Sequence, residues 1–326
     1  MQGKDASEQE TAVKCNAGID VSKNYLDVHV LPGGQSMRVF NTDDGIRKLK
    51  RWLGQFDLAL VVIEATGKWH RRLQRSLHAS GLAAAVVDPY RVRMFAKAQG
   101  IFAKTDRLDA RVLALFAAVM TPTARPLASE VMQNLAELVT AREGAVAQGT
   151  ALKNQLSATS GKFLQRHLKR RIARNSKDVA TIEREIMACI KADDSLARRY
   201  VILTSIPGFG PVVAATLIAC LAELGSCNRK QIASLAGVAP IADDSGERQG
   251  LRVIWGGRAI VRRALYLSAL SAARFNAGLN TFFDRLIANG KPQKAAIIAV
   301  ARKLAVLANT LISQNRTWEP HAPKHA

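Results

Sequence analysis

A nearly unbroken apolar run at residues 58–67, "LALVVIEATG", constrains the fold of this chain more than any other stretch of its sequence. A strand that is apolar on both faces is stable only when both faces are covered, which is typical of central strands in α/β domains. The run contains one charge, Glu64, and an ionised carboxylate in such a strand is costly unless it is paired or binds metal. The sequence therefore predicts a covered sheet that holds one acid in need of a partner.

The residues on either side of this run predict the rest of the sheet. Three stretches of alternating apolar residues, separated by turns, predict a three-stranded meander before it. A helical pattern links the meander to the run, and a second helix, a further buried strand and a last helix follow. The stretches are residues 15–22, 25–32 and 35–42 for the meander, 69–81 for the second helix, 82–89 for the buried strand, and Asp106 onward for the last helix. The predicted order is β-β-β-α-β-α-β-α, an α/β domain.

Four acidic residues fall where these elements bring them together. Asp20 lies in the first strand and Glu64 in the fourth, and the ends of these strands are neighbours in a sheet built in this order. Asp106 and Asp109 are one helical turn apart on the last helix, which packs beside those strand ends. Carboxylate oxygens suit Mg²⁺ or Mn²⁺, and a pair of such ions is the usual device for in-line attack on a phosphodiester. We therefore predict that these four residues are catalytic and bind the metal.

Each acid also has an ordinary structural explanation. Asp20 is able to cap a turn, and Asp106 is able to cap the last helix through the amide of Asp109. A further acid, Asp88, ends a strand just before Pro89, where a turn is a more economical explanation than catalysis. The prediction of a metal site depends on the joint placement of the four acids and not on any one of them.

The charge of the chain indicates an anionic partner. The 326 residues include 47 Lys and Arg against 26 Asp and Glu, a formal net charge of +21, and the pI is near 10.4. Such a surface attracts polyanions, and nucleic acid is the first candidate. Beside the acids, Lys104, Arg107 and Arg111 are predicted to hold a nucleic-acid backbone. The polar N-terminus and the lack of an uninterrupted apolar run of about 18 residues predict a cytoplasmic protein with no membrane partner.

Residues 126–200 predict a long helical arm. The stretch 131–200 contains no proline and carries apolar residues at helical spacing, with seven-residue steps in its second part. Two long helices that form an antiparallel pair fit this pattern best. Residues 166–174 include five Lys or Arg and are expected near the bend, where a solvated tip and a nucleic-acid contact are equally good explanations. Exposed heptad faces on such an arm also favour self-association.

Two features of the second half point to nucleic acid. Gly208 and Gly210 lie in a turn before an Ala-rich helix, where backbone amides approach phosphates closely, as in a helix-hairpin-helix; a simple packing turn is the alternative. Ser245 lies in a polar loop, where an exposed hydroxyl is a candidate nucleophile, although a Ser-Gly turn is the ordinary explanation. Arginines in and after this loop are candidate clamps for a phosphodiester. They are Arg248, Arg252, Arg258, Arg262 and Arg263.

A series of motifs runs through nearly the whole chain. The motifs are "GIDVSKNYLDV", "VIEATG", "KTDRLDARVLA", "SIPGFGPVVAATLIA", "LAGVAPIADDSG" and a long C-terminal stretch that begins "GGRAIVRRALYLSAL". In this order they resemble the DEDD transposases of insertion sequence 110, to which the pilin-inverting recombinases are similar. By motif, the four acids of that family fall on Asp20, Glu64, Asp106 and Asp109, and its nucleophilic serine falls on Ser245.

The resemblance implies an architecture. It implies a RuvC-like RNase H fold for the first domain, a coiled-coil arm, and a mainly α-helical transposase domain with a helix-hairpin-helix. The expected divisions are a disordered N-terminus (1–14), the RuvC-like catalytic domain (15–125), the arm (126–200), the transposase domain with the serine loop (201–315) and a tail (316–326). Trp255 and Arg258 depart from the family pattern, in which a basic residue and often an asparagine stand at these positions.

The resemblance also implies a function, that of an RNA-guided, Mg²⁺-dependent recombinase of an insertion sequence in which Ser245 attacks the scissile phosphate. The implied partners are DNA of the element ends and target, a structured guide RNA, and further copies of the chain. A dimer or tetramer would build composite sites, with the acids from one subunit and the serine from another. Two alternatives stay open: a hydrolytic junction nuclease in which metal-bound water attacks, and a non-catalytic nucleic-acid-binding protein whose acids are caps.

Overall fold

The computed structural model describes residues 14–67, 69–103, 105–124, 126–127, 129–246 and 250–319. The chain divides into two compact units, residues 1–128 and residues 129–326. The first unit holds a five-stranded sheet with its helices, and the second is built of helices and one short hairpin. The helices predicted as an arm fall within the second unit.

The first unit has the predicted order of elements with one helix added. Its elements are β1 (Cys15–Val21), β2 (Tyr25–Leu31), β3 (Ser36–Phe40), α1 (Asp43–Leu53), β4 (Leu58–Glu64), α2 (His70–His78), β5 (Ala84–Val87), α3 (Pro89–Ala98) and α4 (Asp106–Met120). The added helix is α3, and the apolar pattern does not predict it because only Val92 and Ala96 of its ten residues are buried. Asp88 caps this helix by accepting a hydrogen bond from the Tyr90 amide at 2.7 Å, a structural role of the kind expected for it.

The five strands form one mixed sheet in the order β3-β2-β1-β4-β5. Strand β2 is antiparallel to both β1 and β3, whereas β4 is parallel to both β1 and β5. The prediction that the first and fourth strands are neighbours is therefore confirmed. This strand order, with these directions, is consistent with the RNase H-like fold that the resemblance implies.

Different helices cover the two faces of the sheet. Ile19 of β1 lies in a core formed with residues of α1 and α2. Val62 of β4 lies in another core, with Leu113 and its neighbours on α4. Because successive side chains of a strand point to opposite faces, Asp20 and Glu64 lie on the α4 face of the sheet.

Helix α4 packs almost directly on β1 because residue 18 is a glycine. A Cβ at Gly18 would lie 2.2 Å from the backbone nitrogen of Ala114 and 2.3 Å from the backbone oxygen of Ala110. Only a residue with no side chain allows the helix backbone to come this close. The same approach fixes the first turn of α4 beside the end of β1 that carries Asp20.

The second unit is a helical domain with one short hairpin. Its elements are α5 (Glu130–Ser157), α6 (Lys162–Lys191), α7 (Asp194–Thr204), α8 (Pro211–Cys220), α9 (Arg229–Leu235), β6 (Pro240–Ile241), β7 (Val253–Ile254), α10 (Ala259–Phe275), α11 (Ala277–Ala288) and α12 (Gln293–Ser313). Helices α5 and α6 are 28 and 30 residues long and pack side by side. The chain therefore has two long helices where the sequence predicts them.

Helix α12 is the one described helix that is long and apolar enough to cross a membrane by length and composition. Half of its most apolar window is buried inside the protein. Val300, Leu304, Ala308 and Leu311 belong to the core of the second unit, where α12 packs on α10. This packing accounts for the apolar composition of the helix.

We predict that Gly18→Ala lowers the free energy of unfolding by about 2–3 kcal/mol, because the added methyl group overlaps backbone atoms of α4. Urea unfolding of the variant and the wild type measures the change. Gly54→Ala is the matched control, since Gly54 follows α1 with a φ of −65° and a Cβ there would lie 3.4 Å from the nearest atom. The control should change stability by less than about 0.5 kcal/mol; equal effects of the two variants would show that α4 yields to the methyl group.

Candidate active site

Asp20 and Glu64 lie side by side near the ends of two adjacent parallel strands. Ile19 of β1 pairs with Ile63 of β4, and the next residue of each strand is the acid. Both acids are partly buried. The strand register thus brings two carboxylates together on the α4 face of the sheet.

Helix α4 brings two more acids to the same face. Its N-terminal cap is Thr105, whose hydroxyl accepts a hydrogen bond from the Leu108 amide at 3.3 Å. The alternative explanation, that Asp106 is the cap, is therefore wrong. Asp106 is exposed, Asp109 is partly buried, and both lie in the first turn of the helix, where the helix dipole stabilises negative charge.

The acids lie close enough together to change the ionisation of Asp20. The pKa of Asp20 is raised from its ordinary value of 3.8 to about 6. Burial is the largest cause, followed by repulsion from Glu64, Asp109, Asp106 and Asp27 in that order. A cation bound here would relieve the repulsion, so the cluster has the charge that a metal site needs.

Asp27 is a fifth member of the cluster, and the sequence pattern does not predict it. It pairs directly with Asp20 across the antiparallel strands β1 and β2 and is buried. Arg38 of β3 donates two hydrogen bonds to Asp27, at 2.7 and 2.9 Å, and one to Asp106 at 3.0 Å. The tight turn after β1 is the sequence feature that could have predicted this pairing, because it sets the register that places Asp27 opposite Asp20.

The donor set fits Mg²⁺ or Mn²⁺ in kind, because all of its members are carboxylates. As the side chains lie, no group of three or more His, Cys, Asp or Glu within the described residues is close enough to hold one ion. The Asp106 carboxylate is instead directed toward Arg38. Because the side chain of Asp106 is 67% exposed, leaving this ion pair costs little free energy.

The basic residues predicted beside the acids are only partly described. Lys104 lies outside the described residues, and of Arg107 only the backbone, within α4, is described. Arg111 is exposed and lines a pocket of about 510 Å³ together with His29 and Ser36. The one described cation of this group therefore lies on the side of α4 that faces β2 and β3.

Ser245 lies in the second unit, in the loop between β6 and β7, and is exposed. The neighbouring Asp244 accepts hydrogen bonds from Arg252 at 2.6 and 2.8 Å and from the Gly250 amide at 3.0 Å. The Arg252 guanidinium lowers the pKa of the Asp244 carboxyl. These bonds connect the two sides of the loop next to the serine. Arg248, predicted in the same loop, lies outside the described residues.

The other arginines after the serine have partners inside the second unit. Arg258 donates hydrogen bonds to both carboxylate oxygens of Glu223, at 2.6 and 2.8 Å, and this pairing raises the pKa of Arg258. The others are Arg262, which donates to the backbone oxygen of Gly256 at 2.6 Å, and Arg263, which lies 3.1 Å from a carboxylate oxygen of Glu143. A nucleic acid would have to compete with these partners.

The turn before α8 has a packing role. A Cβ at Gly208 would lie 2.8 Å from the Cβ of Ala272 on α10, and the φ of Gly208 is +97°, so both the space and the backbone require glycine. Gly210 is the N-cap of α8, and nothing lies within 4 Å of a Cβ built there. The packing explanation therefore suffices for Gly208, whereas the helix N-terminus at Gly210 is open.

Two family models match the chain. The first, for DEDD transposases of the IS110 type and described as "Transposase", matches residues 17–161. The second, described as "Transposase IS116/IS110/IS902 family", matches residues 200–284. The acids on the α4 face lie in the first range, and Ser245 lies in the second. The matches place the chain in the class of transposases.

Curated relatives agree with this class. The pilin gene-inverting protein of Moraxella bovis is 27% identical over 318 residues, which cover 94% of this chain and 98% of that protein. The protein of the same name from Moraxella lacunata matches with the same identity and coverage. An uncharacterized 42 kDa protein of insertion element IS900 from Mycobacterium paratuberculosis is 31% identical over 46% of this chain and 39% of its own length.

A solved structure, T. thermophilus RuvC in complex with Holliday junction substrate, matches 35% of this chain and 100% of that chain. The sequence identity is 16% and the TM-score is 0.28. The family assignment rests on the sequence matches: the chain belongs to the IS110 family of DEDD transposases.

We predict that Asp20→Asn stabilises the metal-free protein at about pH 8 and changes little at about pH 4. The carboxyl pKa is about 6 in the folded protein against 3.8 ordinarily, so the folded state binds more protons between these values and stability falls as pH rises through them. Asparagine has no carboxyl group to ionise, so the variant does not lose this stability as pH rises.

The measurement is the melting temperature of each protein against pH in the presence of EDTA. Asp57→Asn replaces an exposed acid of the same unit and is the matched control, which should show no pH-dependent gain. A gain from Asp20→Asn that is equal at both pH values would contradict the electrostatic coupling.

Proposed function

We propose that the chain is the transposase of an insertion sequence, a recombinase that cuts and rejoins DNA strands. The observation that carries this proposal is the meeting of Asp20 and Glu64 of adjacent strands with Asp106 and Asp109 of α4 on one face of the sheet. Burial and the surrounding carboxylates raise the pKa of Asp20 to about 6. Repelling carboxylates destabilise a fold, and ionisable groups perturbed in this way concentrate at functional sites. The transposase models that match both units support the same proposal.

We propose that Asp20, Glu64, Asp106 and Asp109 hold Mg²⁺ or Mn²⁺. When bound, the metal neutralises the cluster and stabilises the charge that develops as a hydroxyl attacks phosphate. The role of the protein chain is to hold the four carboxylates in position. The register of β1 and β4 does so for two of them, and the packing of α4 on Gly18 does so for the other two.

We propose Ser245 as the nucleophile. Its oxygen forms a bond to the scissile phosphorus while the bond from phosphorus to a deoxyribose oxygen breaks, which leaves a phosphoserine link and a DNA end with a hydroxyl. The serine proton passes to a carboxylate base, and a proton returns to the leaving oxygen. The hydroxyl of a new DNA end then attacks the phosphorus of the phosphoserine and loses its proton, while the bond from phosphorus to the Ser245 oxygen breaks and that oxygen is protonated again. The exposure of Ser245 supports this role.

The proposed partners follow from the same scheme. The acids belong to the first unit and the serine to the second, and the resemblance implies that the acids of one subunit act with the serine of another. We therefore propose a homo-oligomer, at least a dimer, on DNA. A structured guide RNA is the third proposed partner, which the resemblance implies and which a net charge of +21 suits.

The first test is a gel for protein-linked DNA. Protein purified with its co-isolated RNA is incubated with Mg²⁺ and labelled DNA of the element junction, and the products are separated under denaturing conditions. We predict a protein-linked band for the wild type and none for Ser245→Ala, because the variant lacks the attacking oxygen. Ser271→Ala replaces an exposed serine of α10 and is the matched control, which should retain the band.

The remaining outcomes identify the alternatives. Free cut ends without a linked band, unchanged in Ser245→Ala, would exclude the serine mechanism and leave a metal-dependent hydrolytic nuclease. An absence of cutting, by protein shown to bind the correct RNA and DNA, would leave a binding protein whose acids are structural.

A second prediction concerns the metal. Mg²⁺ should raise the melting temperature of the chelator-treated wild type at about pH 8, because it relieves the repulsion around Asp20. Glu64→Gln should lose most of this increase and at least about 100-fold in DNA cutting. Asp57→Asn should behave as the wild type. An equal response of all three proteins to Mg²⁺ would show that the ion binds elsewhere.

A further inference from the structure

The end of the α5–α6 pair at which α5 is joined to α6 carries no acidic residue. Between Glu143 and Asp178 the sequence has eight Lys and Arg and no Asp or Glu. The eight are Lys153 on α5 and Lys162, Arg166, Lys169, Arg170, Arg171, Arg174 and Lys177 on α6. All of them are exposed, and none forms an ion pair with another residue that the structure describes. The positive charge at this end of the pair is therefore unbalanced.

Six of these side chains lie along one face of α6. At 3.6 residues per turn they fall within an arc of about 140° and extend about 22 Å along the helix axis. The six, called the basic face below, are Lys162, Arg166, Lys169, Arg170, Arg174 and Lys177. The opposite side of α6 packs on α5, since Leu168 and Asn175 are buried and a Cβ at Gly149 would lie 2.5 Å from the Asn175 Oδ1. The basic face is thus turned to solvent.

The basic face is unfavourable for the helix that carries it. Like charges four residues apart destabilise a helix, and Lys162, Arg166, Arg170 and Arg174 follow one another at this spacing. The helix also begins at Lys162 with no acid in its first turn, so its first cations face the positive end of the helix dipole. An anionic partner would remove both costs.

We infer that the basic face binds the backbone of duplex DNA. Duplex DNA offers one negative charge per about 1.7 Å of axis, and its major groove, about 12 Å wide, admits an α-helix. Duplex RNA fits less well, because its major groove is too narrow to admit side chains. A second copy of the chain that met this face with its own basic face would bring the same unbalanced positive charge to the contact, which repels. The inference rests on the proposed function only in taking DNA as the substrate.

The test measures binding of the full chain to a labelled DNA duplex of about 40 base pairs at several salt concentrations in EDTA, where no cutting intervenes. The variant combines Lys162→Gln, Lys169→Gln and Lys177→Gln. Its matched control combines Lys230→Gln, Lys291→Gln and Lys294→Gln, three exposed lysines of the same unit. Lysine and glutamine have similar helix propensity, so both variants should keep the circular dichroism of the wild type.

We expect the basic-face variant to bind DNA at least tenfold more weakly than the wild type. The magnitude of its slope of log affinity against log salt concentration should fall by about 2.7, because each of the three lost phosphate contacts contributes about 0.9. The control should stay within about threefold of the wild type. Equal losses in the two variants would overturn the inference, because only net charge would then matter. The inference also fails if the basic-face variant loses binding to duplex RNA while its DNA binding is unchanged. The absence of cutting in EDTA keeps this result independent of the proposed serine chemistry.

Discussion

The contact of the α4 backbone with β1 at Gly18 is the constraint on which the candidate site depends. Strand pairing alone brings Asp20 and Glu64 together, but Asp106 and Asp109 belong to a helix more than 40 residues later in the sequence. They reach the strands because the backbone of α4 occupies the space that a side chain at residue 18 would fill. The acid cluster is therefore a product of main-chain packing, which holds Asp20 beside carboxylates that repel it.

The elements of the first unit could be predicted from the sequence because its signals are local. Alternating apolar and polar residues indicate the meander, and the apolar run indicates a central strand covered by helices on both faces. A central strand in this order of elements is expected beside β1, and β4 does pair with β1. The four acids could be chosen for the same reason, since each lies at a definite place in a predicted element. Helix α3 could not be predicted from apolar periodicity, because it buries only two residues.

The ion pairs could not be predicted, because they join residues that are far apart in the sequence. Arg38 contacts Asp27 and Asp106, which are 11 and 68 residues away, and Arg258 contacts Glu223 across 35 residues. A count of basic residues near a polar loop suggests ligand clamps, whereas the structure shows that several of these arginines connect parts of their own unit. Gly208 is similar, since its contact with α10 appears only once the helices are assembled.

Arg38 also affects how a phosphodiester would meet this surface. Five carboxylates on one face of a sheet would repel an approaching nucleic acid before any close contact formed. Arg38 is half exposed, lies against two of the five, and offsets one negative charge at the outer side of the group. The electrostatic barrier to the entry of a polyanion is thus lower than the number of acids suggests. Arg38 already supplies part of the charge neutralisation that a bound cation would give to an approaching phosphodiester.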